Sequence, residues 1–223
     1  MKIIGIMQPY FMPYIGYFQL IDAVDIYVNL DHVSFMKRSY MTRNTLKNNT
    51  QISIPVIGGS QNKSCSEILI KSDDKFFTNF PKTLYHLYGK EIHFDEVFNQ
   101  IFTLSKDISF LTISQFNLFY IKQICKYLDI KTQIIDTSEG FTTRKKNEGL
   151  QDIIREFNGS SYINAIGGQK LYTKEDFASQ NINLQFIQMG DVNLDNKYAS
   201  ILDLIFRYPK EHIQQQIKKY TLI

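Results

Sequence analysis

Residues 2–30 read KIIGIMQPYFMPYIGYFQLIDAVDIYVNL. KIIGIM is a short apolar strand, IGYFQLIDAV carries apolar residues at helical spacing, and DIYVNL is rich in β-branched and aromatic residues. Strand, turn, helix and strand in so short a span make a βαβ unit, whose two strands run parallel. The turn itself is dense in special residues. Pro9 and Pro13 fix φ, Tyr10, Tyr14 and Tyr17 crowd it, Gly16 allows close backbone approach, and Gln8 opens it. It follows the first strand directly, and open parallel sheets bind ligands beyond the carboxyl ends of their strands. The following helix would aim free N–H groups at an anion. A ligand-holding loop and a corner packed by tyrosine rings both fit this pattern.

The alternation continues downstream. QISIPV reads as a strand, Gly58-Gly59 as a turn, and SEILI as a strand pairing beside it. Residues 73–104 read as helix in two pieces parted by Gly89. The strongest helix is SFLTISQFNLFYIKQICKYLDI, with Phe110, Ile113, Phe116, Ile121, Ile124 and Leu128 along one face. TQIIDT, SSYINAI and NLQFIQM read as strands; NEGLQDIIREF, TKEDFAS, SILDLIF and KEHIQQQIKKY read as helices. The expected architecture is α/β: a Rossmann-like, mostly parallel sheet sandwiched by helices. It is one domain over 1–223, with a helical insertion or subdomain around 73–128.

A chain of 223 residues buries roughly 70% of its extended surface and needs no disulfide or metal for stability. Cys65 and Cys125 are far apart, in neither a metal-ligand nor a disulfide pattern. Cys125 sits in an apolar helical run and reads as core, while Cys65, among Ser and Lys, reads as exposed. A reducing, cytoplasmic setting fits. The net charge of +3 gives no reason to expect nucleic acid or an anionic membrane as partner. MKIIGIMQP reads as a first strand and not as a signal peptide. No apolar run approaches the roughly eighteen residues of a membrane span.

A second constellation, LDHVSFMKRSYMTRN at 30–44, follows the second strand and should reach the same end of the sheet. Lys37, Arg38 and Arg43, interleaved with Phe35 and Tyr40, suit a diphosphate held by bidentate guanidinium contacts beside an aromatic face. A solvated basic loop is the plainer reading. Asp31 and His32 are the candidate general base pair. They can meet only if the strand has ended before them, because neighbours on a strand face opposite ways. Asp31 is the preferred member.

Two resemblances follow from these residues. Strand, proline, aromatic loop, YIGY and a helix distantly resemble nucleotidyltransferases of the HxGH type, such as pantothenate synthetase, with Tyr14 and Tyr17 at the histidine positions. A phenol carries no positive charge at neutral pH, so the resemblance carries the topology more than the adenylyl transfer. More specifically, IGIMQPYFMPYIGYFQLIDAVDIYVNLDHVSFMKRSYMTRN at 4–44 resembles the opening of the WbqC-like family, found among bacterial O-antigen and other surface-glycan genes. YINAIGGQKLY at 162–172 and SILDLIF at 200–206 extend the likeness along the chain. Gln8, Tyr10, Gly16, Asp31, Lys37, Arg38, Arg43 and Asn44 stand where the family pattern has them. His32, Ser34, Phe35, Tyr40 and Thr42 depart from it. His32 takes the place of a second acid, which puts a role needing an acid pair in doubt.

In AIGGQKLY, Gly167 and Gly168 would let backbone N–H groups approach an anionic ligand. In SILDLIF, Ser200 reads as a helix N-cap and Asp203 as a candidate site residue. No D-x-D, G-x-G-x-x-G, P-loop or G-x-S-x-G pattern occurs. His86 and His93 match no zinc spacing, so no metal is expected. The family resemblance implies a place in surface-glycan biosynthesis; the expected function is an enzyme acting on a nucleotide-linked (amino) sugar, and the expected reaction is attachment of an acyl or aminoacyl group to the amine. In this scheme Tyr10 and Tyr14 stack on base or sugar, and the cations hold the diphosphate. ATP enters as cofactor only if the amide forms at its expense. The alternatives are an ATP-dependent adenylyl- or nucleotidyltransferase and a non-enzymatic partner in a glycan assembly complex. A homodimer, if one forms, would use the helical insertion.

Overall fold

The computed structural model describes residues 2–102, 111–141, 144 and 146–223. Its centre is a six-stranded sheet built from β1 (Lys2–Met7), β2 (Ile26–Asn29), β7 (Gln133–Ile135), β8 (Gly159–Ala165), β9 (Asn183–Met189) and β10 (Tyr220–Leu222). The spatial order is β10-β9-β8-β1-β2-β7. All neighbours are parallel except β10, which pairs antiparallel with β9. The chain starts at β1, runs outward to β2 and β7, then returns to the other side of β1 as β8 and β9. The direction of winding therefore reverses between β1 and β8. This is the switch point at which doubly wound sheets leave a crevice.

Strand alternation divides the core in two. Ile4, Ile6, Ile26, Val28, Tyr162, Leu184 and Phe186 turn to one face, onto α5 (Lys146–Glu156) and α6 (Lys174–Ala178). The other face packs on α1 (Ile15–Asp22), α7 (Ile201–Ile205) and α8 (Lys210–Ile217). Helix α1 lies close over β1 because Gly5 has no side chain: a Cβ there would come within 2.9 Å of Leu20. Ile15, Phe18 and Ile21 of α1 are fully buried, each contributing about 1.5–3 kcal/mol relative to exposure.

The long connection from β2 to β7 carries the hairpins β3 (Arg43–Thr45)–β4 (Gln51–Ser53) and β5 (Val56–Ile57)–β6 (Leu69–Ile70). Helices α2 (Phe76–Tyr88), α3 (Phe94–Ile101) and α4 (Ile113–Tyr127) follow, with Gly89 closing α2 as expected. Their buried residues join the same core as α1, α7 and α8. Helix α4 starts in a capping box: Thr112 accepts from the Gln115 N–H at 3.2 Å, and Gln115 accepts from the Thr112 N–H at 3.0 Å. The helix expected at 103–104 and the expected start of the long helix at 109–110, Phe110 included, lie outside the described residues.

Three local expectations are corrected. QISIPV is not one strand: it breaks at Pro55, and its two ends serve different hairpins. The terminal helix stops at Ile217, and Tyr220–Leu222 instead forms the antiparallel edge strand. Cys65 is fully buried, because the 63–66 segment crosses the 31–35 loop and sets its Sγ 3.4 Å from Met41 Sδ.

Candidate functional site

The loop 8–14, after β1, is tied down almost carbonyl by carbonyl. Tyr17 Oη donates to Gln8 O at 2.8 Å, Asn117 Nδ2 to Pro9 O at 3.0 Å, and Asn44 Nδ2 to Phe11 O at 3.0 Å and Met12 O at 2.5 Å. The Ile201 N–H donates to Pro13 O at 2.9 Å. Phe11 and Met12 turn inward and are buried, so the loop does pack a corner. Tyr10 and Tyr14 turn outward, and both remain partly exposed. One segment therefore fills the corner and presents a surface, and each residue does one of the two jobs.

That surface is a cavity of about 390 Å³ at the carboxyl ends of β1 and β8. Tyr10, Tyr14, Tyr17, Tyr40 and Tyr198 line it together with Gly16, Asn44 and Gly167, and among the described residues no charged side chain does. Tyr10 lies 5.7 Å from both Tyr17 and Tyr40 between ring centroids, and Tyr14 lies 6.3 Å from Tyr198. Tyr40 and Tyr198 form the rim, 63% and 70% exposed. The Tyr14 ring occupies the space a Cβ at Gly16 would need, so glycine here makes room for the tyrosine. A Cβ on Gly167 would meet nothing within 4 Å, so its backbone faces open cavity. Burial pushes the phenols of Tyr10 and Tyr14 above 10.0 and keeps them protonated as donors. The Tyr17 hydroxyl is committed to Gln8 O and to the Tyr27 hydroxyl, which leaves it no freedom to meet a ligand.

Two strand spacings along the same edge, about 10 Å, a second cavity of about 580 Å³ opens beyond β2 and β7. Its wall is mixed: Asp31, Gln115, Lys122, Asp136 and Glu139 stand among apolar residues such as Phe116 and Phe119. Asp31 is 5% exposed, and its Oδ1 accepts from Thr137 Oγ1 and the Ser138 N–H at 2.9 Å each and from Ser138 Oγ at 3.2 Å. Ser114 Oγ reaches Oδ2 at 3.4 Å. Since β2 ends at Asn29, Asp31 and His32 are free to meet, and His32 Nδ1 lies 3.3 Å from Asp31 Oδ1. The imidazole is 40% exposed, with Nε2 4.0 Å from Glu139.

The remaining sequence candidates fall elsewhere. Lys37, Arg38 and Arg43 are exposed and line neither cavity, although Arg43 adjoins Asn44 and Arg38 shares the loop that carries Tyr40. Gln8 is half-buried at the end of β1. Gly168 is buried against the Asn164 side chain. Asp203 is fully buried and holds helices together: it accepts from Tyr88 Oη at 2.9 Å, Arg207 Nη1 at 3.1 Å and Asn196 Nδ2 at 3.2 Å. Ser200 caps α7 as expected, accepting from the Leu202 N–H. Tyr198, Ser114, Thr137 and Ser138 were not signalled by the sequence, since none sits in a motif and only the sheet order brings them to the edge. Among the described residues no cluster of three or more His, Cys, Asp or Glu could hold a metal ion, and no helix is long and apolar enough to cross a membrane.

Comparison with known proteins adds two findings. The model of the WbqC-like protein family matches residues 8–215. Uncharacterized protein Rv1507c of Mycobacterium tuberculosis is 25% identical over 223 residues, covering 95% of this chain and 96% of its own length. No solved structure matches.

Proposed function

The chain belongs to the WbqC-like protein family, and from that premise we propose that it is a transferase of surface-glycan biosynthesis acting on a nucleotide-linked sugar. The proposed reaction places an acyl or aminoacyl group on a sugar amine. The observation that carries the binding half of this reading is the tyrosine-lined cavity at the β1–β8 switch point. Its floor is fixed by Asn44, Asn117 and Tyr17 before any ligand arrives, which lowers the ordering cost of binding. The diphosphate, extending outward, is assigned to Lys37, Arg38 and Arg43, on the ground that Lys37 and Arg38 share the loop of Tyr40 and Arg43 adjoins Asn44.

Proton acceptance from the amine is assigned to the Asp31–His32 pair, of which Asp31 lines the second cavity and His32 lies exposed against it. Asp31 Oδ1 already accepts from Thr137 and Ser138, so the carboxylate is held in place and serves best to orient the imidazole. That leaves His32 Nε2 as the accepting atom. The nucleotidyltransferase alternative needs donors at Tyr14 and Tyr17 to stabilise phosphate charge, and the Tyr17 hydroxyl is spent on the loop.

The test is thermal unfolding with ATP, UDP, dTDP and GDP in large excess. A ligand at a hundred times its dissociation constant stabilises by about 2.7 kcal/mol, a rise of several degrees. Selective stabilisation by one nucleoside diphosphate is expected. Stabilisation by ATP alone would favour nucleotidyl transfer, and no shift with any of them would overturn the reading.

A further inference from the structure

We infer that the β1–β8 cavity takes the uncharged ring of the ligand, base or sugar, and that every phosphate contact lies outside it. This rests on the reading above and says which part of the ligand each surface holds.

The cavity contains ring faces and neutral hydrogen-bonding groups and nothing ionic. Among the described residues the hydroxyls of Tyr10, Tyr14, Tyr40 and Tyr198 have no hydrogen-bond partner, whereas the hydroxyl of Tyr17 is engaged by Gln8 O and the Tyr27 hydroxyl. Free phenols on an apolar wall suit the carbonyl, amide and hydroxyl edges of a base or a sugar, and their rings suit its faces. A phosphate placed here would lose its water with no cation to replace it, which is strongly unfavourable. The cations that would suit a phosphate stand outside the lining: Lys37, Arg38 and Arg43 are exposed, and Lys197 Nζ lies 5.7 Å from the ring centroid of Tyr198 at the rim. Tyr40 and Tyr198 are the specificity residues in this arrangement. They stand exposed at the rim, each in ring contact with one deeper tyrosine, Tyr10 or Tyr14.

The experiment is calorimetric titration of the whole chain with uridine, thymidine, guanosine, adenosine and free N-acetylated amino sugars, and with the matching nucleoside diphosphates and pyrophosphate. Each titration is run at about 0.05 and about 0.5 M salt, where screening lengths differ severalfold. A bare nucleoside or a bare sugar should bind with an affinity unchanged by salt, and which of the two binds identifies the ring. Tyr198→Ala and Tyr40→Ala, both at exposed positions, should each weaken that binding by about tenfold. The diphosphate should add affinity that salt removes, and Lys37→Ala with Arg38→Ala should abolish only that increment. If only phosphorylated compounds bind, pyrophosphate displaces them and the tyrosine variants bind normally, the inference is wrong while the proposed function survives. If no nucleotide or sugar binds at all, both are wrong.

Discussion

Asn44→Ala should destabilise the protein far more than Arg43→Ala, although the two residues are neighbours on β3. Asn44 is buried, and its amide donates to the carbonyls of Phe11 and Met12 while its oxygen accepts from the Thr45 N–H at 2.8 Å. Truncation leaves two loop carbonyls without a donor, at about 1–3 kcal/mol each if they stay dry. Asn44 borders the tyrosine cavity, so water can reach part of the gap and the sum should settle near 2–4 kcal/mol. For a chain of this length that corresponds to a fall in Tm of roughly 5–15 °C. Arg43 is exposed and should stay within about 0.5 kcal/mol of wild type. Urea unfolding of the three proteins, read at the midpoint with unchanged slope, measures the difference. If Asn44→Ala costs no more than Arg43→Ala, the loop is not held by this amide, and the claim of a preformed cavity floor loses its main support.

Gly16→Ala should act on the cavity and not on stability. The added Cβ displaces the Tyr14 ring, whose flexible side chain can swing away, and alanine is the better helix former. Ligand affinity should fall at least tenfold with the urea midpoint nearly unchanged, and unaltered affinity would remove Tyr14 from the binding wall. Tyr17→Phe should cost about 1–3 kcal/mol by stranding Gln8 O, while the Tyr27 hydroxyl keeps Met7 O at 3.4 Å, with no change in net charge; a neutral result would mean this contact does not brace the loop. Burial raises the pKa of Tyr17, Tyr27 and Tyr162 above 10.0 and pushes Cys65 and Cys125 from 9.0 up to about 12. The folded state therefore holds these protons more tightly than the unfolded one. Their contribution is fully present below about pH 9 and is lost as pH rises from there toward 12. Urea midpoints measured across that range should fall, and both thiols should resist thiol reagents until the chain unfolds.

The first βαβ unit was legible because its signals are local: KIIGIM is one apolar run, and Ile15, Phe18 and Ile21 recur at helical spacing. Strand β10 was not, since Tyr220–Leu222 becomes a strand only by pairing with β9, and its own residues continue the polar helix before it. Pro55 divided QISIPV as proline divides strands generally, a signal present in the sequence but outweighed by the run of isoleucines. At the site, Tyr10 and Tyr14 could be read from their place after the first strand. Tyr198 could not, because it enters through the loop before α7, where Ser200 N–H bonds Thr45 O and the Ile201 N–H bonds Pro13 O. The expectation that the 30–44 segment reaches the same mouth as the aromatic loop holds for Tyr40 and Asn44, which line the tyrosine cavity, and fails for Asp31, which lines the other. The structure separates the tyrosine cavity, at the ends of β1 and β8, from the cavity that Asp31 lines, at the ends of β2 and β7.

The most direct test of the central claim is a crystal structure of the protein with the nucleoside diphosphate sugar that stabilises it most. Density for a ring among Tyr10, Tyr14, Tyr40 and Tyr198, with the phosphates directed out past the rim, is the predicted result. Density in the cavity beside Asp31, with the tyrosine cavity holding only water, would contradict it.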